Sequence, residues 1–242
     1  MTIEVKSLSY SIGDATMVSW LADDPEQASP KPGVLVLPEW WGVDDYIRRR
    51  AEDLAGLGYT ALAVDLYGGG EKTDRPDRAD EMMNAVLNDM TVGTERLQAA
   101  CSMLAEQPSV DSSRLAAIGY CFGGAMALHM ARIGMELKAV VSFHGVLDSF
   151  SEPQPGQVLA KVLVCHGEED EYVSDESIEM FHDEMKTAGA QYEFISYPEI
   201  LHGFTNPEAD DYAEQYGLPL AYDESTDIKS WESMKQLFSD VF

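Results

Sequence analysis

Gly119-Tyr120-Cys121-Phe122-Gly123-Gly124, preceded by the apolar run Leu115 to Ile118 and followed by the stretch Gly124 to Ile133, decides how this chain folds. The run before it has the length and composition of a buried strand. The stretch after it puts Met126, Ala127 and Met130 on one side of a helix. A strand that turns at once into a helix holds its central residue in a strained conformation, and glycines two positions away on either side let the two elements pass closely. This is the small-x-nucleophile-x-small pattern of a nucleophile elbow, with cysteine where serine is usual. Such a turn pushes the Cys121 side chain into the open, and the N-terminus of a helix favours the anionic form of a thiol placed on it. The competing reading of Cys121 is a small buried hydrophobe in a glycine-rich turn, and the elbow pattern alone does not decide between them.

Outward from this turn, strand-like runs alternate with helical ones. Val34 to Leu37, Thr60 to Val64, Ala139 to Phe143, Val162 to Val164 and Tyr192 to Ile195 are short and apolar. Between most of them lie helical patterns, at Asp45 to Leu57, Ala79 to Leu87, Gly93 to Ala105 and Ser174 to Ala188. This alternation predicts an α/β fold with a mainly parallel central sheet and helices on both faces. Ile3 to Tyr10 and Ala15 to Leu21, separated by Ile12-Gly13-Asp14, predict an N-terminal β-hairpin. The acidic region from Glu208 to Phe242 reads as helical covering structure. No repeat or linker interrupts the pattern, so one domain over residues 1–242 is expected.

Ligands of open α/β sheets sit outside the carboxyl ends of the strands, so reactive groups are sought directly after the apolar runs. Four polar side chains lie there: Glu39, Cys121, Asp170 in His166-Gly167-Glu168-Glu169-Asp170, and His202 in His202-Gly203-Phe204. Nucleophile, acid and base then follow in the order Cys, Asp, His, which is one of the orders in which a catalytic triad is strung along a chain. Of the other histidines, His129 reads as helix packing or surface, His182 as a solvated helix residue and His166 as a shaper of the turn presenting Asp170. His144, in Phe143-His144-Gly145, is a candidate for lining the pocket. Glu39 reads either as a loop acid capping the next helix or as a desolvated carboxylate able to accept the thiol proton. The backbone amides of Trp40 and Phe122 are candidates for an oxyanion hole.

Composition removes whole classes of function. With 16 Lys and Arg against 43 Asp and Glu, the net charge is −27. A field of that sign repels polyanions, which argues against nucleic acid and anionic membrane as partners. Solubility accounts for the charge, and so does a saline setting, where screening relieves self-repulsion. A chain with 45% hydrophobic residues can bury a sizeable core without disulfide staples. Cys101, Cys121 and Cys165 are odd in number and lack zinc-like spacing, so free thiols are expected. The N-terminus lacks the basic, apolar and cleavage regions of a signal peptide, and no run approaches a membrane span, so a cytoplasmic protein is expected.

Gly-Tyr-Cys-Phe-Gly-Gly at 119–124, Pro-Glu-Trp-Trp-Gly at 38–42, His-Gly-Glu-Glu-Asp at 166–170 and His-Gly-Phe at 202–204 together resemble the dienelactone hydrolase family, the carboxymethylenebutenolidases. The similarity spans about residues 30–240. It implies an α/β-hydrolase fold, a Cys121, Asp170 and His202 triad, and Glu39 as the residue controlling thiol ionisation. It also implies a cytosolic enzyme without metal or organic cofactor, working on a small-molecule ester or lactone as a monomer or small homo-oligomer. Family members that act on a carboxylate-bearing lactone clamp it with two arginines, one of them four residues after the catalytic histidine. That position is Asn206 here. Arg75 or Arg78 could supply the other clamp, and Trp41 and His144 complete the candidate substrate-binding set. With one arginine position missing, a neutral or bulkier ester is as reasonable a substrate.

The expected chemistry is acyl transfer to water by way of a thioester on Cys121. A thiolate is itself a good leaving group, so a poorly activated ester reverts while an enol lactone or aryl ester goes forward, and peptide bonds are not cleaved. A general carboxylesterase or thioesterase is the alternative on the same fold. A redox-sensing or binding protein, with Cys165 as resolving thiol, is the alternative outside catalysis.

Overall fold

Residues 2–242 are described by a computed structural model, in which the chain forms two compact units, residues 1–118 and 119–242. In the first unit, β1 (Glu4–Ile12) and β2 (Ala15–Asp23) form the expected hairpin, with Ile12 opposite Ala15 across the turn. β3 (Lys31–Leu37) and β4 (Thr60–Ala63) are parallel, and β4 pairs antiparallel with β2. With β5 (Val110–Tyr120), the order is β1-β2-β4-β3-β5. Every residue of β3 and β4 is buried, as continuous apolar runs in a sheet covered on both faces require.

Three helices complete this unit: α1 (Asp45–Gly56), α2 (Pro76–Leu87) and α3 (Met90–Ala105). Asp44 and Asp89 accept the amides of Ile47 and Val92 and so fix two of the starts, each cap contributing about 1 kcal/mol. α2 begins three residues before the periodic pattern because Pro76, with its φ already helical, occupies the first turn. The loop after β4 is organised by Asp65, a buried carboxylate that accepts the amides of Val18, Tyr67, Gly68 and Gly70 at 2.8 to 2.9 Å.

The second unit contains β6 (Ala139–Phe143), β7 (Lys161–Gly167) and β8 (Tyr192–Tyr197), all parallel and adjacent in that order. Its helices are α4 (Phe122–Arg132), α5 (Asp175–Ala188), α6 (Ala209–Tyr216) and α7 (Glu224–Val241). Every residue of the first is buried, His129 and Arg132 included. The last packs against β6 and β7 through Thr226, Ser230, Met234 and Phe238, spaced four apart on one face. The α/β class, the mainly parallel strands and the N-terminal hairpin are therefore as the sequence predicts. His182 differs from its expected solvated setting: its Nδ1 meets the Tyr192 hydroxyl at 3.1 Å and its ring lies against Phe194, because α5 lies along β8. No helix among the described residues is long and apolar enough to cross a membrane.

Candidate active site

The elbow is the strained element its sequence predicts. Cys121 has φ 52° and ψ −117° and immediately precedes α4, and its amide donates to Phe143 O at 3.1 Å. Gly119 is obligatory for this turn, since a Cβ there would stand 2.0 Å from Gly123 O. Cys121 is half-buried, whereas Cys165 is buried. Phe122 opens α4, and the first amides of a helix point out of its N-terminus toward whatever is bound at residue 121.

Asp170 and His202 come from two loops that a second glycine lets meet. A Cβ on Gly167 would stand 2.5 Å from Ile200 O, and beside that close approach Glu168 and Glu169 donate their amides to Tyr197 O and Ile200 O at 2.9 Å. His202 Nδ1 thereby lies 2.7 Å from Asp170 Oδ2, with both side chains buried. The histidine loop is held from the far side as well. His202 bridges to Leu220, Ala221 N donates to His202 O, and Asp223 N donates to Phe204 O, both at 3.1 Å.

Charge closes the constellation. Burial opposes protonation of His202, but the negative charges and hydrogen bonds of Cys121 and Asp170 outweigh it and raise the imidazole to about 10. Cys121, His202 and Asp170 are thus brought into one hydrogen-bonded chain within the second unit. The arrangement can hold a proton beside a sulfur, which is what a nucleophilic thiol needs.

The other candidates have diverse settings. Glu39 is buried just after β3, and its carbonyl accepts the Gly42 amide at 3.2 Å. Trp40 is half-buried with its carbonyl accepting the Tyr67 hydroxyl, whereas Trp41 is fully buried, its ring 4.8 Å from that of Trp40. Arg75 occupies the N-cap position of α2 and Arg78 lies in its first turn. Arg75 is ion-paired with Asp77, and Arg78 with Glu71 and Glu81. Asn206 is buried, its Oδ1 accepting the Glu208 amide at 2.9 Å. His144 is wholly buried at φ 40°, sharing a 2.7 Å hydrogen bond with Thr205 Oγ1, its ring 4.9 Å from that of His202. His166 is buried at the end of β7 beside Phe194, and burial holds its imidazole below the usual range. His129 is buried within α4 and pushed down to about 4 by burial and by Arg132.

Cys165 is wholly buried in β7, pushed up to about 12 by burial, with the Tyr197 hydroxyl directed at its sulfur. A thiol so enclosed and so weakly acidic is a poor resolving partner, which removes the support for a disulfide-forming sensor. The residue that sequence reasoning missed is Tyr172. Its ring lies 4.9 Å from that of His202, edge to face, and its amide donates to Asp170 Oδ1 at 2.9 Å.

The dienelactone hydrolase family's sequence profile matches residues 19–242. The solved structure m3DLH has a TM-score of 0.92 at 39% identity, covering 99% of both chains. A dienelactone hydrolase-like promiscuous phosphotriesterase, P91, from metagenomic libraries has a TM-score of 0.91 at 34% identity, again over 99% of both. A protein of Escherichia coli K12 carrying the provisional name carboxymethylenebutenolidase is 29% identical over 241 residues, 94% of this chain and 83% of its own.

Proposed function

The chain belongs to the dienelactone hydrolase family, hydrolases acting on ester bonds, and from that premise we propose that it cleaves enol lactones or activated esters through a thioester on Cys121. The observation that carries this reading is the strained Cys121, hydrogen-bonded to His202, which is bonded in turn to Asp170. The Cys121 sulfur attacks the carbonyl carbon, and the oxygen takes the electron pair and is stabilised by the Phe122 amide. Collapse breaks the carbon–oxygen bond to the leaving group, which receives the His202 proton. His202 then takes a proton from water as the hydroxide attacks the thioester, and the Cys121 thiolate departs. Asp170 orients the imidazole throughout and stabilises its charged form.

Family resemblance adds Glu39 as the residue that controls ionisation of the Cys121 thiol before attack, and the Trp40 amide is the second oxyanion donor. Arg75, Arg78, Trp41, His144 and Asn206 stand as candidates for binding the substrate. The test is steady-state hydrolysis of a panel of enol lactones, aryl esters and alkyl esters, with mass spectrometry of acid-quenched enzyme. Turnover should fall steeply with the pKa of the leaving group, and an acyl adduct should map to Cys121. An adduct elsewhere, or equal rates across the panel, would overturn the mechanism. Glu39→Gln should slow acylation roughly 10²-fold while leaving deacylation of a preformed thioester unchanged. Rapid-quench kinetics separates the two steps, and an unaltered burst rate removes Glu39 from the proton path.

A further inference from the structure

His202 is enclosed by two rings of opposite character. His144, with no exposed surface, packs edge to face at 4.9 Å and 67°. Tyr172 packs at 4.9 Å and 68° while 43% of its own surface remains open to solvent. His202 itself is only 3% exposed, and of these two rings Tyr172 is the one that reaches solvent.

Its placement is built into the chain. Asp170 donates its amide to Gly167 O at 3.1 Å, accepts the Val173 amide on its own carbonyl at 3.1 Å, and accepts the Tyr172 amide on Oδ1. The turn that aims the carboxylate at His202 therefore fixes the backbone of residue 172, and the side chain follows from there. The phenol also lies in the field of the site's charges. Burial raises its pKa first, and the charges of Cys121, Asp170 and Glu171 raise it further. A half-open aromatic surface thus lies against the imidazole of the site.

We propose that Tyr172 is a specificity-determining residue, the platform on which the planar, conjugated part of the substrate rests while its carbonyl meets Cys121. The proposal rests on the hydrolase reading above and narrows it to flat substrates such as enol lactone rings and aryl esters. An aromatic platform attracts such groups beyond their buried area, and adds little for a substrate without a ring.

Phenyl acetate and vinyl acetate separate platform from chemistry, because both release an activated oxygen leaving group and only one carries a ring. In Tyr172→Leu, which keeps bulk over His202, KM for phenyl acetate should rise roughly three- to tenfold with kcat retained. KM for vinyl acetate should stay within about twofold, and Tyr172→Phe should restore the preference for the ring. An equal change for both esters, or none for either, would overturn the platform and leave Tyr172 a cover for the histidine. The parent reading fails differently: if Cys121→Ala still turned over both esters, nucleophile and platform would fall together. The rate of Cys121 alkylation by iodoacetamide, unchanged in Tyr172→Leu, verifies that the reacting groups are intact.

Discussion

Cys121→Ala lowers kcat/KM for an enol lactone by roughly 10⁴-fold or more, leaving only what the oxyanion donors and binding supply. The loss falls on the chemical step, because the removed sulfur bonds to the substrate only on the way to the transition state. A second readout follows from His202. Its raised pKa owes much to the charge and hydrogen bond of Cys121, with burial opposing, so alanine should bring the imidazole down from about 10. NMR titration of the ring measures this directly. The sign carries over to stability. A base whose folded pKa exceeds its unfolded value stabilises the fold fully below the unfolded pKa, near 6.5, and the contribution is lost as pH rises toward the folded one. In the variant that window narrows from its upper end. Residual activity above about 1% of the parent, or an imidazole that still titrates near 10, would mean that Cys121 is not the partner of His202.

Asp170→Asn should cost roughly 10³- to 10⁴-fold in kcat/KM with little change in KM. Asp170 Oδ2 faces Nδ1 of His202 at 2.7 Å, and Oδ1 accepts the Tyr172 amide at 2.9 Å. An asparagine satisfies the Tyr172 amide with its single oxygen and then turns its NH₂ toward Nδ1. That nitrogen must become an acceptor, the ring proton moves to the nitrogen facing Cys121, and the neutral ring can no longer accept a proton there. The carboxylate's charge, one support of the raised imidazole, is lost as well. Thiol alkylation across pH checks the assignment: the variant should alkylate more slowly near neutrality than the parent. A variant that keeps its alkylation profile and most of its turnover would show that Asp170 only braces the loop.

What was legible in the sequence was whatever is dictated by order along the chain. Cys121, Asp170 and His202 stand directly after apolar runs, and a parallel sheet delivers the ends of its strands to one edge, so order along the chain is enough to group the three as candidates. Element edges were less visible where polar residues enter the ladder. β5 begins at Val110 rather than Leu115 because Asp111 to Arg114 pair through their backbone, for which side-chain polarity is no guide. α3 begins at Met90 because Asp89 caps it, ahead of the apolar periodicity. Tyr172 could not be recognised at all. Its importance lies in where an Asp170-centred turn aims a ring, and side-chain direction in a turn leaves no periodic trace. Burial of Trp41, His144 and Asn206 was equally invisible, since all three are polar or amphipathic residues in loops and at strand ends, where exposure is the usual expectation.

The strap that holds the histidine loop has a consequence for synthesis. Leu220, Ala221 and Asp223 bind the backbone of His202 and Phe204, so the imidazole gains its final posture only after some twenty further residues have left the ribosome. The elbow emerges about a hundred positions earlier, by the spacing of the sequence. During translation Cys121 therefore exists for a time before His202 is held in place, and the histidine loop takes its final form late in the birth of the polypeptide.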